Sequence, residues 1–314
     1  MESAEQLREL VAARTGRIPQ ALNPIKTGKF NTSYLLDMGE DTWVARVAPP
    51  PDSVFCFYEK DMMRQEPGIH RLLLSETDVP VAPVVFIDFT RETVPTDVMV
   101  LKRLPGDPLS DRLLSGTQRS QALYELGAHL CAVHNLQTAQ YGYLGEHAPL
   151  APESSWKAAF AAMWRALVDD VRSVGEYTEE EAACLLSFLG ERSAAFEHNP
   201  PASLLHMDVW EQNILINSDG HVTGLLDWDR ALYGDPEIEF AVMDYCGMTG
   251  ESFWKGYGRE RPSGPDADTR RTAYLLYEIQ KYIVIEKGRN GSVQRARQFK
   301  DRVFSVVYDA MTGS

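Results

Sequence analysis

Residues 204–235, LLHMDVWEQNILINSDGHVTGLLDWDRALYGD, constrain this chain more than any other stretch. Two short apolar runs, 214–216 and 222–226, flank Asn217-Ser218-Asp219-Gly220. An Asp-Gly step between runs of β-formers predicts a hairpin, since the turn needs positive φ at its centre. Asn213 and Asp227 lie seven residues on either side of Gly220. A regular hairpin would put them on neighbouring strand ends, a few ångströms apart. Asp208 stands five residues before Asn213, in the loop that feeds the first strand. One hairpin end thus presents a carboxylate, a carboxamide and a second carboxylate, all oxygen donors of the kind Mg²⁺ prefers. Phosphoryl transfer uses the same three groups: an Asp near the acceptor hydroxyl, and an Asn and an Asp on the metal. Asp208 is therefore the candidate catalytic base, and Asn213 and Asp227 are the candidate metal ligands.

At 314 residues the chain has room for two domains, or for one domain of two lobes. A formal net charge of −14 argues against a broad nucleic-acid surface and suits a cationic substrate. The four cysteines show no close spacing, which disfavours a zinc site and fits a reducing cytoplasm. The histidines form no HExxH pattern, and His129 and His134 read as helix or core-edge residues. The N-terminus is charged and lacks an apolar signal region, and no run of about 18 apolar residues exists. A cytoplasmic enzyme with no membrane span is expected.

Taken in order, residues 2–14 have the helical period. Strand-like segments follow at 24–38 and 42–47, separated by Gly39-Glu40-Asp41. Residues 55–74 read as a helix, with Pro67 a point of kink or restart. Strands are expected at 84–88 and 98–101, and Pro105-Gly106 marks an element end. Helical patterns then occupy 118–135, 154–173 and 178–197, the last opened by the capping-box signature Thr178-Glu-Glu-Glu181. After the hairpin, helices are expected at 237–246, 268–288 and 292–311, with a polar loop at 259–268. Strands first and helices after indicate an α+β class.

His206-x-Asp208-xxxx-Asn213, then Leu225-Leu226-Asp227-Trp228-Asp229, then Gly234-Asp235-Pro236, resemble the aminoglycoside phosphotransferase and choline-kinase-like family of small-molecule kinases. The resemblance covers most of the chain and is motif-specific over residues 204–241. It implies a bilobal protein-kinase-like fold. Residues 1–104 would be a strand-rich, nucleotide-binding N-lobe, and 105–314 a mostly helical C-lobe with the catalytic loop and acceptor site. It implies ATP or GTP as phosphoryl donor, Mg²⁺, and a small-molecule hydroxyl as acceptor.

The resemblance also implies roles outside the hairpin. Arg46 stands where most relatives have the lysine that grips the α/β-phosphates, and Lys26 or Lys29 could share that task. Glu66 would orient Arg46, with Glu59 as the fallback. Gly28, Asn31 and Ser33 fall in a nucleotide-covering loop, and Lys102 and Leu104 in the hinge that holds the adenine edge. Glu211, Trp210, Asp229 and Glu278 are the candidate acceptor residues, and Glu237, Glu239 and Glu286 could add negative charge. Tyr274, Tyr277 and Tyr282 read mainly as packing between helices, and His206 as a brace for its loop. The expected acceptor is a cationic, aminoglycoside-type antibiotic. The alternatives are a metabolic kinase for choline, homoserine or a ketosamine, and a nucleotide-binding protein without catalysis. Leu-Leu-Asp-Trp-Asp departs from the Asp-Phe-Gly pattern of protein kinases.

Overall fold

The computed structural model describes residues 2–26, 28, 30–143 and 148–312; Lys29 lies outside them. The chain begins with α1 (Glu2–Thr15), β1 (Ala21–Ile25), β2 (Thr32–Asp37) and β3 (Thr42–Val47), followed by α2 (Glu66–Glu76), β4 (Val84–Asp88), β5 (Val98–Lys102) and β6 (Asp107–Pro108). Next come α3 (Gly116–His134), β7 (Gln137–Thr138), α4 (Trp156–Ser173), α5 (Glu179–Glu191) and β8 (Ala202–Leu205). The hairpin is β9 (Ile214–Ile216) and β10 (Val222–Leu225), and β11 (Leu232–Gly234), α6 (Pro236–Tyr245), α7 (Glu251–Tyr257), α8 (Pro265–Val284) and α9 (Val293–Thr312) complete the chain. Two compact units result, both discontinuous in sequence. The first holds residues 1–53, 61–112 and 212–229; the second holds 54–60, 113–211 and 230–314.

The first unit is built on an antiparallel sheet in the order β1-β2-β3-β5-β4. Its two faces follow from the strand period of two. Trp43, Ala45 and Val47 of β3, with Val98 and Val100 of β5, face Leu7, Leu10 and Val11 of α1. Met99 and Leu101 of β5 point the other way, onto Met63, Ala82 and Leu104. Arg46 alternates with Ala45 and Val47 and pairs in register with Met99, so its side chain leaves the sheet on the face opposite α1. Its other cross-strand partner is Ser33.

The long helix expected over 55–74 is shorter. A single 3₁₀ turn occupies Met62–Arg64, and α2 starts at Glu66. Pro67 falls in the first helical turn, where its missing N–H costs no hydrogen bond. Glu66, before that proline, is the first helical residue, and an acidic group at a helix N-terminus is favourable.

The hairpin forms, but its register differs from the regular one. Ile214 pairs with Leu225 and Leu215 with Gly224, yet Ile216 pairs with Val222, so a bulge falls between 222 and 224. The turn shifts the pairing two positions from symmetry about Gly220, and the extra residue restores one of them. The Asn213 carbonyl therefore accepts from the Leu226 N–H at 2.9 Å, and Asp227 lies one residue beyond its expected place. Asp227 takes left-handed backbone geometry, with φ of 62°.

In the second unit α3 and α7 pack through glycines. A Cβ on Gly127 would stand 2.6 Å from the Tyr257 nitrogen, so only glycine permits the approach. Trp156 and Phe160 of α4 pack with Phe196 and Tyr274 into an aromatic core. Gly234-Asp235-Pro236 acquires a physical meaning here. Asp235 caps α6 by accepting the Glu237 N–H at 3.0 Å, and its other oxygen takes the Tyr274 hydroxyl at 2.8 Å and meets His198 Nε2 at 2.8 Å. The Thr178 capping box is present, with both its hydrogen bonds formed. Asp235→Ala removes a cap and strands a buried phenol, and is expected to destabilise the protein by about 2–4 kcal/mol. Chemical denaturation measures this, and a loss below about 0.5 kcal/mol would contradict the assigned role.

Candidate active site

Within the first unit, one guanidinium gathers three carboxylates. Arg46 is buried; Nη1 donates to Glu66 Oε1, and Nη2 lies 2.9 Å from Asp227 Oδ1 and 2.8 Å from Asp229 Oδ2. The surrounding segments are tied to the same atoms. The Trp228 N–H donates to Glu66 Oε1 at 3.1 Å, Asn31 Nδ2 to Asp229 Oδ2 at 3.2 Å, and Gln65 Nε2 to the Asp229 carbonyl at 2.5 Å. Asn31 brings the Gly28–Ser33 loop into this cluster. Gly28 is required there: a Cβ would lie 2.8 Å from the Asn31 carbonyl oxygen. Burial pushes the Glu66 carboxyl up, but Arg46 and His70 outweigh it and carry the group from 4.5 down to about 2. The three carboxylates raise the Arg46 guanidinium well above its ordinary range despite its burial.

His70 Nε2 also lies 3.3 Å from Glu66 Oε1, and the carboxylate and carboxamide oxygens gathered here are of the kind that suits a dication. Glu66 Oε2 and Asn31 Oδ1 are buried and have no hydrogen-bond partner among the described residues. Asn213 is buried at the foot of β9, whereas the Asp227 side chain is 44% exposed. These hard oxygen donors fit Mg²⁺ chemically. Lys102, at the end of β5, pairs in register with Trp43. Its N–H is taken by Pro83 at 2.9 Å, and that of Arg103 by Thr42 at 3.0 Å. Leu104 packs with Met99 and Leu101.

Within the second unit, the loop after β8 carries Asp208. Met207 has φ of 65°, a strained conformation for a non-glycine residue. Glu239 of α6 holds it there, accepting the Met207 N–H at 2.6 Å while meeting His134 Nε2 at 2.7 Å. His134 is fixed in turn by the Tyr257 hydroxyl at 2.8 Å. Burial pushes the Glu239 carboxyl up, but His134 brings it below its usual value. His206 Nδ1 accepts the Asp208 N–H at 3.2 Å. In the sequence Glu239 reads as acceptor-site charge and His134 as a helix or core-edge residue. Their 105-residue separation hid the pair. Asp208 Oδ1 accepts from Arg230 Nη1 at 2.9 Å, a contact the sequence reading missed.

The nominated acceptor carboxylates are each engaged by a base. Glu211 meets Arg119 at 2.7 Å, Glu278 meets Lys281 at 2.6 Å, Glu237 meets Arg270 at 2.6 Å and Glu286 meets Arg295 at 3.2 Å. Glu59, the fallback partner for Arg46, belongs to the second unit and binds Arg289 at 3.0 Å. Trp210 is half-buried beside Glu211. Tyr274 and Tyr277 pack edge-on against Phe160, and Tyr282 stacks on Phe299 and donates to Glu278 at 3.1 Å.

A family model described as the phosphotransferase enzyme family matches residues 21–273. The chain belongs to this family. A Vibrio vulnificus (strain CMCP6) protein named as a probable ketoamine kinase is 25% identical over 275 residues, covering 80% of this chain and 82% of the relative. The rice protein-ribulosamine 3-kinase is 39% identical over 74 residues, which cover 24% of this chain and 21% of that protein. Among solved structures, a Haemophilus somnus protein named as a fructosamine-3-kinase superposes with TM-score 0.70 at 15% identity, covering 97% of this chain and 98% of that one. The aminoglycoside phosphotransferase APH(4)-Ia, in a complex with AMP-PNP and hygromycin B, superposes with TM-score 0.69 at 20% identity, covering 97% and 99%. The fold is protein-kinase-like, and this phosphotransferase acts on a hydroxyl group of a small molecule. Among the described residues no helix is long and apolar enough to cross a membrane.

Arg46→Met leaves three carboxylates without their shared counter-ion and is expected to cost about 3–5 kcal/mol. The Glu66 carboxyl, lowered on folding from 4.5 to about 2, adds stability that is present above pH 4.5 and lost as pH falls towards 2. Glu66→Gln should therefore flatten the dependence of unfolding free energy on pH across that window. A variant that kept the wild-type slope would show that other carboxylates govern acid unfolding.

Proposed function

We propose that the protein is a ketosamine kinase, transferring the γ-phosphoryl group of ATP with Mg²⁺ to a hydroxyl of an amino-ketose. One observation carries the choice of acceptor. The carboxylates Glu211, Glu278, Glu237 and Glu286 each face a Lys or Arg of their own unit. A polycationic aminoglycoside would need uncompensated acidic charge, whereas a ketosamine carries a single amine. The curated relatives named as ketoamine kinases support the same reading.

In the proposed reaction the acceptor oxygen forms a bond to the γ-phosphorus, and the bond from that phosphorus to the bridging oxygen of the diphosphate breaks. Asp208 takes the hydroxyl proton, and Arg230 orients its carboxylate. Asn213 and Asp227 would hold Mg²⁺, which when bound neutralises charge on the phosphate oxygens. Arg46, steadied by Glu66, supplies a permanent cation for the phosphates, and its planar fork matches their oxygens. Asn31 and Ser33 offer donors from the covering loop. Met99, Leu101 and Leu104 give an apolar wall for the base, with Lys102 at its edge. Trp210 and Glu211 are assigned to the acceptor side.

Steady-state transfer from ATP to a fructosyl-amine, aminoglycosides, choline and homoserine tests the assignment. The fructosyl-amine is expected to have the highest kcat/KM by about 100-fold. A preference for an aminoglycoside would sink the ketosamine reading. Asp208→Ala should lower kcat by about 10³-fold while nucleotide still binds. A folded variant with unchanged kcat would remove Asp208 as the base.

A further inference from the structure

The segment 54–60 lies between two stretches of the first unit in sequence but folds as part of the second. Its attachments are specific. The Phe57 N–H donates to Asp170 of α4 at 2.6 Å, and Tyr58 stacks on Tyr143 with ring centroids 6.2 Å apart. Gly288 lies against Val54, and Gly288 and Arg289 belong to a wide π-type turn, Ile285–Arg289, that closes α8. Such turns persist where geometry demands them.

This segment carries Glu59, whose side chain is fully buried. Oε2 accepts the Cys56 N–H at 2.8 Å, and Oε1 meets Arg289 Nη2 at 3.0 Å and Arg230 Nη2 at 3.7 Å. The other terminal nitrogen of Arg230, Nη1, donates to Asp208 Oδ1 at 2.9 Å. Two buried or half-buried carboxylates and two guanidiniums thus alternate in the order Arg289, Glu59, Arg230, Asp208. A buried carboxylate with no counter-ion would be costly, so Glu59 depends on both arginines.

We infer that Glu59 is a positioning residue for the base: with Arg289 it holds Arg230 so that the guanidinium divides its charge between Glu59 and Asp208. This rests on the assignment of Asp208 as proton acceptor. An arginine given wholly to Asp208 would hold the carboxylate too firmly in its ionised form and weaken it as a base. An arginine drawn wholly to Glu59 would give up its hold on Asp208 Oδ1. Other charges face the group. Asp170 stands beside Glu59 and is pushed up to about 6, chiefly by burial. Glu278 and Lys281 of α8, with Glu211 on the loop itself, lie in the field that Asp208 shares. These groups do not change in the variants below.

The test compares Glu59→Gln and Arg289→Met with the wild type, reading kcat, both KM values and the acid limb of kcat/KM. Glu59→Gln removes the competitor for Arg230. The limb should move down by about half a unit to one unit, and kcat should fall about tenfold with both KM values within about twofold. Arg289→Met leaves Glu59 to Arg230 alone, so the limb should move up by a similar amount. Glu59→Asp, which keeps the charge, should recover most of kcat. Should Glu59→Gln fail to fold, Arg289→Met carries the test. Unmoved limbs, or shifts of the same sign in both variants, would overturn the inference and leave Glu59 a packing residue. Wild-type turnover on no hydroxyl acceptor would instead count against the proposed function. Carboxyl NMR titration of Asp208, identified with Asp208→Asn, would still decide the inference by the same opposite shifts.

Discussion

The charge on Arg46 is the constraint on which the first unit depends. It is buried on the sheet face opposite α1, and each nearby segment is arranged to answer it. Glu66 reaches it from the first turn of α2, because Pro67 restarts the helix there. Asp227 and Asp229 reach it from the hairpin exit, which the bulge between 222 and 224 and the left-handed turn at Asp227 redirect. Asn31 joins through Asp229. An isolated guanidinium or carboxylate in this place would be untenable, so the ion cluster specifies the packing as well as the chemistry.

The second unit solves the same problem by alternation. The strained Met207 is held by Glu239, Glu239 by His134, and His134 by Tyr257. Asp208 is held by Arg230. Carboxylates that look like a negative lining in the sequence, Glu211 and Glu278 among them, are matched by Arg119 and Lys281. The net charge of −14 therefore says little about the acceptor, because the charge near Asp208 is locally balanced.

Much of this was legible in the residues. The hairpin followed from Asp219-Gly220 between apolar runs, and the strands around 42–47 and 98–101 from their β-formers. Arg46 and Glu66 were paired by resemblance, and the structure places them in contact. The bulge was not legible, since turn composition sets the hairpin but not a one-residue insertion beyond it. The helix expected over 55–74 rested on Met62, Met63, Ile69, Leu72 and Leu73, but Phe57 and Tyr58 lie outside α2, with backbone and ring contacts to Asp170 and Tyr143. The pairings of Glu211 and Glu59 were hidden for one reason. Their partners lie 92 and 230 residues away, and no local rule reports such contacts.

The most direct test of this account is a crystal structure with Mn²⁺ and AMP-PNP. Arg46 lies 2.9 Å from Asp227 Oδ1, so phosphate oxygens must compete with that carboxylate for the guanidinium. The account predicts anomalous density at Asn213 and Asp227, with Arg46 still on Glu66 but turned from Asp227 towards phosphate oxygens. Nucleotide bound with Arg46 still on Asp227, and no metal at Asn213, would contradict it.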